Sequence, residues 1–317
     1  MIAKALIATT QVDAHNMRIT KEALEKGAQD INEGVYVPTV TVNHDATIIP
    51  QGKVIKAYVE PYGDGDYALF VEQVFFKSYS TDIDGQRFIL LKNTVDNRPL
   101  ITGEVKGKSK LLVKADSVNF ETREAAKEYF QYLNSEYDIE TSQIARKALI
   151  PDPELVFQFL DSTVKAVLVY LVSKQAAEKI GEHIVEHALT ELDEVYGFIK
   201  KAIVSGAKRL VPKNRPVTYV FMGNNGFVVE LIVQTTNPNT AIDAIAKERL
   251  QQIFDETEHL QTIFSPFNKI QFTYNKGTSC WEFNYLTTEK GEVIGTEKSY
   301  KETAKKIDLA FPSKHME

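Results

Sequence analysis

One cysteine and one tryptophan occur in 317 residues. The lone Cys280 excludes an intrachain disulfide and any zinc site built from cysteines alone, and it fits a reducing, cytoplasmic setting. Long hydrophobic runs are also missing. The most apolar segment, Ala166 to Val172, sits between Lys165 and Lys174, far short of the ~20 residues a membrane-spanning helix needs. The N-terminal MIAKALIATTQVDAH turns polar too early for a secretory signal, so the expectation is a soluble protein with no membrane partner. Positive charge is not in excess either. The balance of 37 Lys and Arg against 43 Asp and Glu gives a net charge of −6, which argues against a nucleic-acid partner. Lys106, Lys108, Lys110 and Lys114 alternate as on a solvated strand face. There is no G-x-G-x-x-G, no P-loop, no internal repeat and no low-complexity stretch.

The length suits two domains, and a boundary is expected near 147–153, giving 1–150 and 151–317. In the first part, residues 2–9 read as a strand, and Thr20 caps a helix that ends before Gly34. Residues 53–60 and 67–75 read as a hairpin across Pro61-Tyr62-Gly63-Asp64-Gly65-Asp66. A turn at Asp82–Gly85 precedes strand-like RFILLK, and residues 121–134 are amphipathic with helical spacing. Asp64/Asp66 and Asp82/Asp84 lack the full oxygen set of a calcium loop.

Asp152-Pro153-Glu154 has the pattern of a helix start, predicting two long helices over about 153–173 and 175–210. The first is apolar over a wide arc, which predicts a partner surface: a protein partner or a homo-oligomer through helices 153–210. The last hundred residues then read as ββαβββα. The predicted fold class is α+β: an N-terminal mostly-β domain with one or two helices, then two long helices and a small antiparallel sheet with helices on one face.

Two constellations could carry chemistry. His183-Ile184-Val185-Glu186-His187 is literally H-x-x-E-H. Histidines four apart share a helical face and can hold zinc, with Glu186 as general base, which defines a zinc-peptidase alternative. Flanking Glu182 and Glu191 equally suit solvated histidines with helix ion pairs, and the principal reading assigns no metal and no cofactor.

The other is VNHDATIIPQGKVIKAYVEPYGDGDYALFVE. With its lead-in AHNMRITKEALEKGAQDIN, over roughly residues 10–75, it resembles the start of tailed-phage prohead maturation proteases. The matching positions are Asn43, His44, Asp45, Gly52, Lys53 and Val54. The resemblance implies a serine-peptidase fold with His44 as general base, a role a near-neutral imidazole can fill beside a serine hydroxyl. Ser78, Ser80, Ser109 and Ser117 lie downstream. Ser109 has the best separation, but its context GKSKLLV departs from the family's glycine-and-aromatic pattern. The principal reading is therefore a non-enzymatic protein-binding or self-assembling module of phage, prophage or phage-related bacterial origin. A serine peptidase using His44 and Ser109 is the alternative.

Overall fold

The computed structural model describes residues 2–12, 18–101, 109–136, 139–144, 152–160, 182–224 and 227–311. Their strands are β1 (Ile2–Thr9), β2 (Thr39–Val40), β3 (Gly52–Tyr62), β4 (Asp66–Phe75), β5 (Lys77–Ile83), β6 (Gln86–Lys92) and β7 (Leu111–Ala115). There follow β8 (Ile139–Gln143), β9 (Glu154–Phe159), β10 (Val217–Asn224), β11 (Val228–Thr235), β12 (Phe267–Asn275), β13 (Cys280–Thr288) and β14 (Val293–Thr296). The helices are α1 (Lys21–Asn32), α2 (Arg123–Glu136), α3 (Glu182–Arg209), α4 (Pro238–Ala244), α5 (Lys247–Leu250), α6 (Phe254–Phe264) and α7 (Glu297–Ala310).

The architecture is mostly β. One sheet has four strands in the order β1-β4-β3-β2, and a mixed sheet has ten, β5-β6-β14-β13-β12-β11-β10-β9-β7-β8. This overturns the predicted fold class. The first of the two expected long helices is, over Glu154–Phe159, strand β9, parallel to β10 on one side and antiparallel to β7 on the other. Leu155, Val156, Phe157 and Phe159 are all buried. A strand covered on both faces reads as a continuous apolar run, and a short run of that kind has no period that separates it from a buried helix. Pro153 stands just before the strand, where a missing N–H costs nothing, rather than opening a helix. The C-terminal sheet is not small and antiparallel either, because β11 pairs with β12 in parallel. Residues 161–173 of the expected helix, and the expected boundary at 147–151, lie outside the described residues.

The chain forms two compact units, Met1–Glu104 with Tyr285–Glu317, and Val105–Asn284. In the first, Thr20 caps α1 as its sequence predicts, its hydroxyl accepting from Ala23 N at 3.2 Å. Leu24, Ala28 and Ile31 of α1 pack on Val54, Ala57, Leu69 and Val71, with Ala5 and Ala8 of β1 at the margin. Asn32 fastens the helix to β3 by donating to Ala57 O and accepting from Ala57 N. A second cluster joins Val37, Ile49, Leu91 and Leu100 to Tyr285 and Val293 from the far end of the chain.

In the second unit, one row of cross-strand neighbours is wholly apolar: Val113, Phe157, Phe221, Leu231 and Phe272. The helices lie over this face. Tyr129 of α2 donates to Ala202 O of α3, and Trp281 Nε1 donates to Ala244 O of α4. At Gly206 of α3 a Cβ would come 2.6 Å from Leu155 Cδ1 and 3.0 Å from the Tyr129 hydroxyl.

Candidate functional site

His44 lies in the turn between β2 and β3, one of two consecutive residues, with Asn43, in the left-handed region (φ 57° and 52°). The local hydrogen bonds explain the turn. Asp45 Oδ1 accepts from Thr47 N at 2.9 Å and from Thr47 Oγ1 at 2.6 Å. Lys306 of α7 donates to Thr47 Oγ1 and stands 3.5 Å from Asp45 Oδ2. Ile49 N donates to Thr303 Oγ1. The Asn-His-Asp triplet thus opens a loop anchored on α7, with the Asp45 carboxylate engaged by Thr47 and Lys306.

Ser109 precedes β7, where its N–H donates to Glu140 Oε1 at 3.2 Å. His44 belongs to the first unit and Ser109 to the second, so neither unit by itself holds the pair that the resemblance implies. His183, Glu186 and His187 fall on α3, but their side chains lie outside the described residues. Among the described residues no three His, Cys, Asp or Glu are placed to hold a metal ion.

Among the described residues a buried charge cluster lies elsewhere, at three positions the sequence reading gave no catalytic or binding role. Lys53 of β3 is fully buried and donates to Arg98 O at 2.6 Å, with Asp96 Oδ1 3.3 Å away. Arg98 grips Asp96 through Nε (2.9 Å) and Nη2 (2.6 Å). It also donates to Ile31 O, at the end of α1, and to Ile55 O of β3. A cation on the last carbonyls of a helix meets the negative end of its dipole. Burial pushes the Lys53 ammonium below its ordinary pKa, an effect that Asp96 only partly offsets. Burial alone would raise the Asp96 carboxyl, but hydrogen bonds from the Arg98 side chain and backbone, with the charge of Lys53, hold it below the usual carboxylate range. The group is packed shut. Gly291 (φ 70°) closes it, for a Cβ there would strike Arg98 O and come 2.8 Å from Lys53 Nζ. Gly291→Ala is therefore expected to destabilise the protein by more than about 1 kcal/mol, a loss to be read from urea melts. The cluster clamps α1 to β3.

A second polar assembly crosses the other face of the ten-stranded sheet. Gln158, Met222, Glu230 and Gln271 are cross-strand neighbours in sequence from β9 to β12. Lys269 meets Glu230 at 2.6 Å, Gln271 donates to Glu230, and Asn284 donates to Gln271 at 2.6 Å. These groups satisfy one another. Gln158 Oε1 is buried without a hydrogen-bond partner.

What the fold leaves open are strand edges. Among the described residues β1 pairs only with β4, and β5 only with β6. Along β1, Ile2, Leu6 and Ile7 are 52, 44 and 40% exposed. The ladder shifts between Leu6 and Ala8, making Ile7 a bulge and leaving Ile2–Leu6 as the regular stretch. In its middle, Lys4 meets Glu60 at 2.9 Å and lies 4.1 Å from the Phe70 ring centroid. The sequence marks β1 as a strand but not as an edge. β5, whose KSYSTDI is exposed from Lys77 through Asp82, did not figure in the sequence reading. The one clue was its spacing of Tyr79, Thr81 and Ile83.

No family model, curated protein or solved structure matches this chain. Among the described residues no helix is long and apolar enough to cross a membrane.

Proposed function

We propose that the protein is a non-enzymatic protein-binding module that takes an extended segment of a partner protein as an additional strand on β1. The observation that carries this is the exposed, apolar edge of β1. A strand with one neighbour presents a row of unpaired N–H and C=O groups, and apolar side chains along it favour pairing with another chain. The chemistry of β1 specifies the guest. Its regular stretch alternates Ile2, Lys4 and Leu6 on one face, so a fitting segment carries apolar residues opposite Ile2 and Leu6 and an acid opposite Lys4. The Lys4 ammonium has three donors, and Glu60 takes one of them.

Self-pairing of β1 is disfavoured by the same pattern. A two-fold axis that joins identical antiparallel strands keeps each sheet face on its own side, so the full register sets the middle residue against its own copy. For Ile2–Leu6 that residue is Lys4, and like charges directly opposite are destabilising. A phage or prophage origin goes with this reading on the likeness of residues 10–75 alone. A cytoplasmic setting accords with Cys280, which is exposed and outside any disulfide.

The test is titration with a labelled peptide whose core is Leu-Thr-Glu-Thr-Leu, which presents the same face in either direction. Binding is expected to slow amide exchange in β1 and to be abolished by Leu6→Asp. Lys4→Glu is expected to weaken it about fivefold, matching ~1 kcal/mol for one cross-strand charge pair, with affinity regained by a peptide bearing lysine at its centre. Binding that is indifferent to both substitutions would remove β1 as the site.

A further inference from the structure

We infer that a second copy of this chain pairs antiparallel with β5, forming a reversible two-fold dimer on an edge separate from β1. The argument is one of register. β5 pairs with β6 without a shift from Lys77 to Ile83, so all seven residues form one regular strand. Its middle residue is Ser80. The full two-fold register therefore places Ser80 against Ser80 of the second copy, Tyr79 against Thr81, Ser78 against Asp82 and Lys77 against Ile83. Each of these contacts is compatible. An aromatic faces a β-branched residue, and a hydroxyl faces a carboxylate it can donate to. Neither charged residue of the strand faces its own kind. This is the reverse of β1, whose full register opposes Lys4 to itself.

The neighbouring strand leaves room for the pairing. Arg87 of β6 sits opposite Asp82 and reaches Ser80 Oγ at 3.3 Å, while the Lys92 ammonium lies 5.1 Å from the Tyr79 ring centroid. The charges of β6 are thus drawn onto side chains of β5 itself, Arg87 onto Ser80 and Lys92 onto Tyr79, and the charged residues of β5 are Lys77 and Asp82 near its two ends. Seven residues span about 23 Å, and a single strand-to-strand seam is smaller than the ~1,200–2,000 Å² of a stable interface. The dimer is accordingly weak, with dissociation in the micromolar range.

Sedimentation velocity on the full chain, from about 1 to about 300 µM, reads the association directly. The wild type is expected to move from monomer to dimer across that range. Ser80→Lys and Ser80→Asp, which set like charges on the two-fold axis, are each expected to shift the midpoint upward at least tenfold. An equimolar mixture of the two variants should restore association, because lysine then faces aspartate. That rescue shows both variants to be folded. Leu6→Asp, the variant that tests β1, is expected to leave the dimer unchanged, so each edge can fail alone. A wild type that stays monomeric, variants that associate as the wild type does, or a mixture that gains nothing over its components would overturn the inference.

Discussion

Asp96→Ala is expected to destabilise the protein by about 3–5 kcal/mol, the cost of leaving a buried charge without its partner. The charge so stranded is the fully buried Lys53 ammonium, and the same substitution frees the Arg98 fork that holds the end of α1. Part of the loss should be recoverable with alkali. Lys53 has a lowered pKa in the fold, so the folded chain binds fewer protons than the unfolded one between that lowered value and the ordinary ~10.4. Stability contributed by this group therefore rises with pH through that window, and removing Asp96 widens the window downward. Asp96 acts at the other end of the scale. Its carboxyl is held low, so its contribution is complete above ~3.9 and is lost as pH falls through its folded value. Urea melts near pH 6 and near pH 9.5 check the prediction. The variant's deficit should be smaller at the higher pH, and an equal deficit at both would mean that Lys53 is not the stranded group.

Phe157→Ala carries the second large effect, about 3–5 kcal/mol for an aromatic removed from a packed core. Phe157 is fully buried and stacks on Phe221 with ring centroids 5.2 Å apart. Trp281, the single tryptophan, belongs to the same unit and is buried at 8% exposure. Its fluorescence during urea unfolding therefore reports the loss directly.

Local signals were legible where local chemistry decides structure. The Thr20 cap, the Gly34 stop and the Gly63-Asp64-Gly65 turn were all readable, since each is set by a side chain acting on its own backbone. β9 was not, because a strand buried on both faces has no alternation to read. The first helix of the expected ββαβββα order is broken into α4, α5 and α6, with the side chain of Asn237 accepting from Asn239 N at its start. The open edges were illegible for another reason. Whether a strand has one neighbour or two depends on the order of strands in the sheet, which no single stretch encodes. Lys53 entered the sequence reading only as a matching position of the resemblance, and Asp96 and Arg98 not at all, because only the fold brings them together.

The first unit is built from both ends of the chain, and this bears on synthesis. Val37, Ile49, Leu91 and Leu100 leave the ribosome long before Tyr285 and Val293 exist to pack against them. At about 5–20 residues per second the delay is on the order of ten seconds or more. During that interval the β1 edge and half of an unfinished core are presented to the cell together, while the second unit, Val105–Asn284, is itself being made. Until Tyr285 and Val293 are made, the apolar surfaces of Val37, Ile49, Leu91 and Leu100 are open to chaperones and proteases, and the closing of this cluster is what removes them from reach.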